Sequence, residues 1–130
     1  MTRSEPDCGE ARQSLLIKVT AGGDAPERCS QAFTVAGTAA ASSIPVSLWL
    51  TGEAAWFALP GRAAEFSLPH AASLAELLES VLQWGQVTLC TQCAERRGIG
   101  SADLLPGIRM GGAAAFIEEA TAPNTQALVY

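Results

Sequence analysis

Two cysteines in a C-x-x-C spacing, Cys90 and Cys93, are followed by Arg96, Arg97 and Gly98. Cysteine reacts as its thiolate, and a helix N-terminus or a nearby guanidinium lowers the pKa that governs it. If Cys93 opens a helical turn, Arg96 and Arg97 follow it at the three- and four-residue spacings that meet on one helix face. Cys90 ends the apolar run Val87-Thr88-Leu89 and faces the same crevice. A thiolate beside a cationic clamp can attack a sulfane sulfur and keep it as a persulfide; two such thiols can also close on each other. Cys90, Cys93, Arg96 and Arg97 are the candidate reactive residues.

Other residues of chemical type are weaker candidates. Cys29 lies among alanines at helical spacing and reads as a small buried hydrophobe. Cys8 falls in a polar tail, and His70 follows Pro69 in a loop. Trp49, Trp56 and Trp84 read as packing or interface residues, and Arg109 could pair with a carboxylate or bind an anion. A structural zinc site usually takes two ligand pairs, and only one is present. No metal and no cofactor is therefore expected. A thioredoxin-type dithiol would follow an early strand and open a long helix, whereas this pair follows a third strand and opens a short turn. Neither a G-x-x-x-x-G-K-[ST] loop nor a G-x-S-x-G elbow is present.

The elements that must position these residues follow from hydrophobic period. Residues 1–13 are polar and read as a flexible tail, and residues 14–130 as one domain. Leu15 to Thr20 is an apolar run suited to a strand buried on both faces. Asp24 could cap the helix that follows, with Pro26 in its first turn, over 26–42. Val46–Leu50 is a second strand, 54–59 a short helical stretch, and 61–71 irregular. Ser73 with Glu76 forms a capping box for a helix carrying Leu74, Leu77, Leu78, Val81 and Leu82. A third strand ends at Cys90, a helical turn covers 93–98, a short strand covers 108–110, Gly111-Gly112 opens a helix to Thr121, and 126–129 is a last strand. This alternation predicts an α/β sandwich with a mainly parallel sheet. Ligands bind such sheets at the carboxyl ends of strands. Those ends carry Gly22, Gly23, Gly52, Glu53, Gly111 and Gly112, which become the candidate substrate-binding residues.

Composition narrows the classes. The chain has 130 residues, 48% hydrophobic and 16% charged, with a formal net charge of −5. An acidic domain without a basic stripe is a poor nucleic-acid binder. No apolar run approaches the ~18 residues of a membrane span, and no secretory leader is visible. The thiols are expected to be cytoplasmic and reduced. Arginine dominates over lysine and alanine is frequent, a bias of GC-rich bacterial genomes.

The segment from Val87 to Gly98 resembles the DsrE family of sulfur-relay proteins, closest to its small stand-alone members of YchN type. Their pattern is a hydrophobic strand, C-x-x-C, three residues and Arg-Gly; here Cys90, Cys93, Arg97 and Gly98 stand in that register. In subunits of DsrE and TusD type a single cysteine stands seven residues before that arginine, which is the place of Cys90. The resemblance implies a three-layer α/β/α sandwich with a five-stranded parallel sheet and a cyclic homo-oligomer, trimer or hexamer. It also implies a persulfide carried between sulfur-donor and sulfur-acceptor proteins. Cys90 would be the acceptor and Cys93 a second acceptor or resolving thiol. The alternatives are a non-catalytic module for a small anion or partner peptide, and a thiol-redox protein. In the oligomer, Trp56 or Phe57 of a neighbouring chain could complete the Cys90 pocket.

Overall fold

The computed structural model describes residues 13–130, so Cys8 and all of the expected tail except Gln13 lie outside the described residues. Strand β1 is Ser14–Val19, helix α1 Pro26–Ala41 and strand β2 Val46–Leu50. A 3-10 helix, Gly52–Ala58, leads through α2, Arg62–Glu65, to α3, Leu74–Trp84. Strand β3, Gln86–Cys90, runs straight into α4, Thr91–Arg96. After a 3-10 turn at Ser101–Asp103 come β4, Ile108–Gly111, α5, Ala113–Ala120, and β5, Thr125–Val129.

The five strands form one sheet in the order β4-β3-β2-β1-β5, every pairing parallel. From β1 to β4 the chain steps in one direction, so right-handed crossovers place α1 and α3 on one face. The connection from β4 to β5 returns to the opposite edge and lays α5 on the other face. The result is the expected three-layer α/β/α sandwich. On the α1 side Ile17, Val19, Leu48, Leu50, Val87 and Leu89 pack against Cys29, Phe33 and Ala36 of α1 and Leu74, Leu78 and Val81 of α3. Alanines along α1 let the helix lie close to the sheet, and Phe33 fills the remaining space against Phe57, edge to face at 5.8 Å.

The other face is thinly covered. Leu16, Trp49 and Thr88 are buried beneath α5, yet no residue from 101 onward is itself buried. Helix α5 rests on few contacts. Phe116 meets Trp49 edge to face at 5.3 Å. Glu119 accepts from Ser47 Oγ at 2.6 Å and Trp49 Nε1 at 3.2 Å. Arg109 pairs with Glu119 and donates to Thr88 Oγ1 at 2.7 Å.

Local departures from the sequence reading have local causes. Asp24 does not cap α1, whose N-cap is Ala25 without a side-chain bond; its carboxylate accepts the Gly22 amide at 2.8 Å instead. The stretch 61–71 is not wholly irregular, because α2 forms there once Ala63 finds a buried place against the core. Gly111 ends β4 and only Gly112 caps α5. Ser73 does cap α3, accepting the Glu76 amide at 3.2 Å.

Candidate thiol site

Neighbouring strands β3 and β4 send their connections to opposite faces. Cys93 and Ala94 of α4 join the core on the α1 side, whereas α5 departs on the other. The two connections diverge at Cys90 and its cross-strand partner Gly111, the kind of position at which open parallel sheets take ligands.

Cys90 is the N-cap of α4 and is half-buried. Burial pushes its thiol up, but the Cys93 amide, the Cys93 thiol, the Gln92 amide and the Lys18 charge together outweigh burial and bring it below the ordinary 9.0. Cys93, inside the first turn of α4 rather than opening it, is 8% exposed. Its sulfur accepts the Gly52 backbone N–H at 3.2 Å. Burial raises the Cys93 thiol; the Gly52 amide and Arg97 oppose this, while the Cys90 charge adds to it, and the net direction is up from 9.0. The pair is thus divided into a thiolate-prone Cys90 and a proton-holding Cys93 whose S–H supports it. Both are free thiols. Cys29 is wholly buried, with its thiol pushed up to about 12 by burial and by Asp24.

Both arginines face Cys93 rather than Cys90. Arg96 Nη1 lies 4.0 Å from the Cys93 sulfur. Arg97 is bound to Glu53 Oε2 through Nη2 at 2.8 Å and Nε at 3.3 Å, and donates to the Cys93 carbonyl at 3.1 Å. Its charge is therefore spent pinning the 3-10 helix to α4, and Glu53 is the anchor. The glycines divide the same way. A Cβ on Gly52, whose φ is +54°, would stand 2.4 Å from the Thr20 carbonyl oxygen, and one on Gly22 2.7 Å from the Glu53 carbonyl oxygen. These two let the loops after β1 and β2 touch and so aim the Gly52 amide at Cys93. The space a Cβ would take at Gly111 is filled by Trp49 Cη2 at 3.0 Å, whereas Gly23 and Gly112 border open space.

Lys18 was not among the residues the sequence marks, although a lysine inside Leu15-Leu16-Ile17-Lys18-Val19 is an anomaly that could have flagged it. Phe57, expected to serve a neighbour's pocket, is instead committed to its own core between Phe33 and Phe66. Trp56 is half-buried and covered by Arg62 at 4.6 Å. Among the described residues no group of three or more His, Cys, Asp or Glu side chains is placed to hold a metal. No described helix is long and apolar enough to cross a membrane. An open cavity of about 520 Å³ at the amino edge, lined by Ser47, Gln86, Arg109 and Glu119, contains no thiol, and its charged pair is already satisfied.

Comparison with known proteins agrees with this geometry at the level of fold. The crystal structure of the YchN protein from E. coli superposes with a TM-score of 0.74 at 19% identity, covering 91% of this chain and 99% of that one. A protein of unknown function from Methanobacterium thermoautotrophicum, MTH1491, superposes with a TM-score of 0.67 at 13% identity, with the same coverage of 91% and 99%. By sequence, the uncharacterized protein MJ0760 of Methanocaldococcus jannaschii is 28% identical over 113 residues, which are 86% of this chain but 41% of that protein. The profile of the DsrE/DsrF-like family matches residues 13–123. With its C-x-x-C at the end of the third strand of a five-stranded parallel sheet, the chain belongs to the DsrE/DsrF-like family, a sulfur-relay-related fold.

Proposed function

We propose that this protein is a cytoplasmic sulfur carrier in which Cys90 accepts a sulfane sulfur as a persulfide and passes it on. The observation that carries the reading is the division of labour in the pair. Cys90 is accessible and its thiol is lowered, whereas Cys93 is buried, protonated and directed at it. The Cys90 thiolate attacks the outer sulfur of a donor hydropersulfide. The donor's S–S bond breaks, its electron pair leaves as the donor thiolate, and Cys90 holds S–SH. Attack by Cys93 on the inner sulfur would then form a Cys90–Cys93 disulfide and release sulfide, its proton leaving with the sulfide. The same arrangement favours a thiol-redox role as the second reading.

Intact-mass spectrometry after exposure to a sulfane-sulfur donor tests the proposal. A gain of one sulfur that disappears in Cys90→Ser supports it. If no cysteine gains sulfur from any donor, the carrier reading fails and a binding module or a thiol-redox protein takes its place. The carrier is proposed to work as a homo-oligomer, trimer or hexamer. What supports this is the thin cover of the α5 face, where Ile117 is 58% and Val129 64% exposed.

A further inference from the structure

Lys18 is the only lysine of the chain and sits in β1, one strand in from the sheet edge. It is in register with Trp49, and Trp49 with Thr88, two residues before Cys90. Strand alternation therefore puts Lys18 and Cys90 on the same face, the one beneath α5. Lys18 is half-buried, and a lysine whose stem packs on apolar surface presents its ammonium at the margin of that surface. Among the described residues Arg97 has Glu53, Arg109 has Glu119 and Arg62 has the Trp56 ring. Lys18 has no described carboxylate within ion-pair distance; its ammonium rests 4.8 Å from the centre of the Phe116 ring. A ring on one side leaves N–H donors for a ligand on the other. Beside the Lys18 ammonium, Phe116 covers the buried Trp49, whose ring in turn reaches Gly111, the residue that faces Cys90 without a side chain. The Lys18 charge favours the Cys90 thiolate through space, with no hydrogen bond between them.

A thiolate repels an anionic reagent, and the net charge of −5 adds to the barrier. We propose that Lys18 is the specificity-determining residue of the Cys90 site, receiving the negative end of an anionic sulfane-sulfur donor of the thiosulfate class. The inference rests on Cys90 being the sulfur acceptor. The thiolate attacks the outer sulfur, the S–S bond of thiosulfate breaks, and sulfite leaves with the electron pair while Cys90 retains S–S⁻. Sulfur lost by the donor is gained by the protein, and no other oxidant or reductant is needed.

The test uses a Cys8→Ser, Cys93→Ser chain so that Cys90 is the accessible reporter. Exchange rates are measured with a dianionic disulfide, dithiobis(nitrobenzoate), and a neutral one, dithiodipyridine, beside persulfide formation from thiosulfate. Loss of the Lys18 charge lowers the thiolate fraction for every reagent, so rates are compared as ratios: Lys18→Met should slow both anionic reagents about tenfold more than the neutral one, and Lys18→Arg should restore the ratio. Added salt should erase the preference of the parent chain. Equal slowing of neutral and anionic reagents, or none, overturns the proposal while leaving Cys90 as acceptor. A chain that takes sulfur from no donor yet keeps the Lys18-dependent charge preference removes the carrier reading and retains Lys18 as its anion-recognising residue.

Discussion

Cys90 and Cys93 are three residues apart and shifted in opposite directions, because one caps a helix half-buried at the carboxyl edge and the other lies buried in its first turn. Alkylation of Cys90 should therefore titrate below 9.0, the ordinary thiol value, and Cys93→Ala should move that inflection upward by removing the S–H that supports the thiolate. An unchanged inflection would mean the Cys93 side chain is not a donor. Mild oxidation should remove two titratable thiols from the wild type and none of this pair from Cys93→Ser. Cys29 should stay unmodified until the chain unfolds. Its pKa of about 12 in the fold, against 9.0 when free, means the unfolded chain loses that proton first. Its contribution is present below 9.0 and lost as pH rises toward about 12, so urea midpoints should fall over that window less steeply in Cys29→Ala.

At the scale of elements, the site depends on loops that touch and on a helix that is weakly held. Gly52→Ala forces a left-handed backbone on alanine and drives its Cβ against the Thr20 carbonyl. It should cost at least about 2 kcal/mol by denaturant unfolding. It should also disturb Cys93 before Cys90, since the Gly52 amide is bonded to the Cys93 sulfur. Helix α5 has one aromatic contact worth about 1 kcal/mol and a half-exposed ion pair worth under about 1 kcal/mol. Its amides should exchange faster than those of α1, which is buried along its length. Glu119→Ala leaves Trp49 Nε1, Ser47 and Arg109 without their shared acceptor. A loss of about 2 kcal/mol and faster exchange in α5 are expected.

On the scale of the whole molecule, one face of the sheet has a full helical layer and the other has a single helix with no buried residue. An apolar face of that kind in a chain of modest charge is where the proposed homo-oligomer would pack. Light scattering at micromolar concentration should report three or six times the chain mass, and Ile117→Glu should lower it. A monomer at that concentration, or an assembly indifferent to Ile117→Glu, would exclude the α5 face as the interface. Trp84, 65% exposed at the far end of α3, offers a control substitution on a different surface.

The alternation of strand and helix and the place of the C-x-x-C at a strand tip were legible in the sequence, because both depend on hydrophobic period and local breakers such as Pro45 and Gly85. Which cysteine is the thiolate was not legible. That depends on the burial of Cys93, which exists only once α4 packs beside the 3-10 helix, and on the Lys18 charge reaching Cys90 across the sheet; the Gly52 amide, 41 residues from Cys93 in the chain, pulls the other way. The arginines illustrate the same limit. Their spacing from Cys93 puts Arg96 in the last turn of α4 and Arg97 at its C-cap, but Glu53, which pairs with Arg97, is distant in sequence. Lys18 was visible as an odd residue in an apolar strand, yet its nearness to Cys90 arises from the registers of β1, β2 and β3. Local propensity thus set the elements and the edge where the chemistry sits, and the α4 turn itself supplies the amides that support Cys90; the burial of Cys93 and the partners of Arg97 and Lys18 come only from long-range contacts.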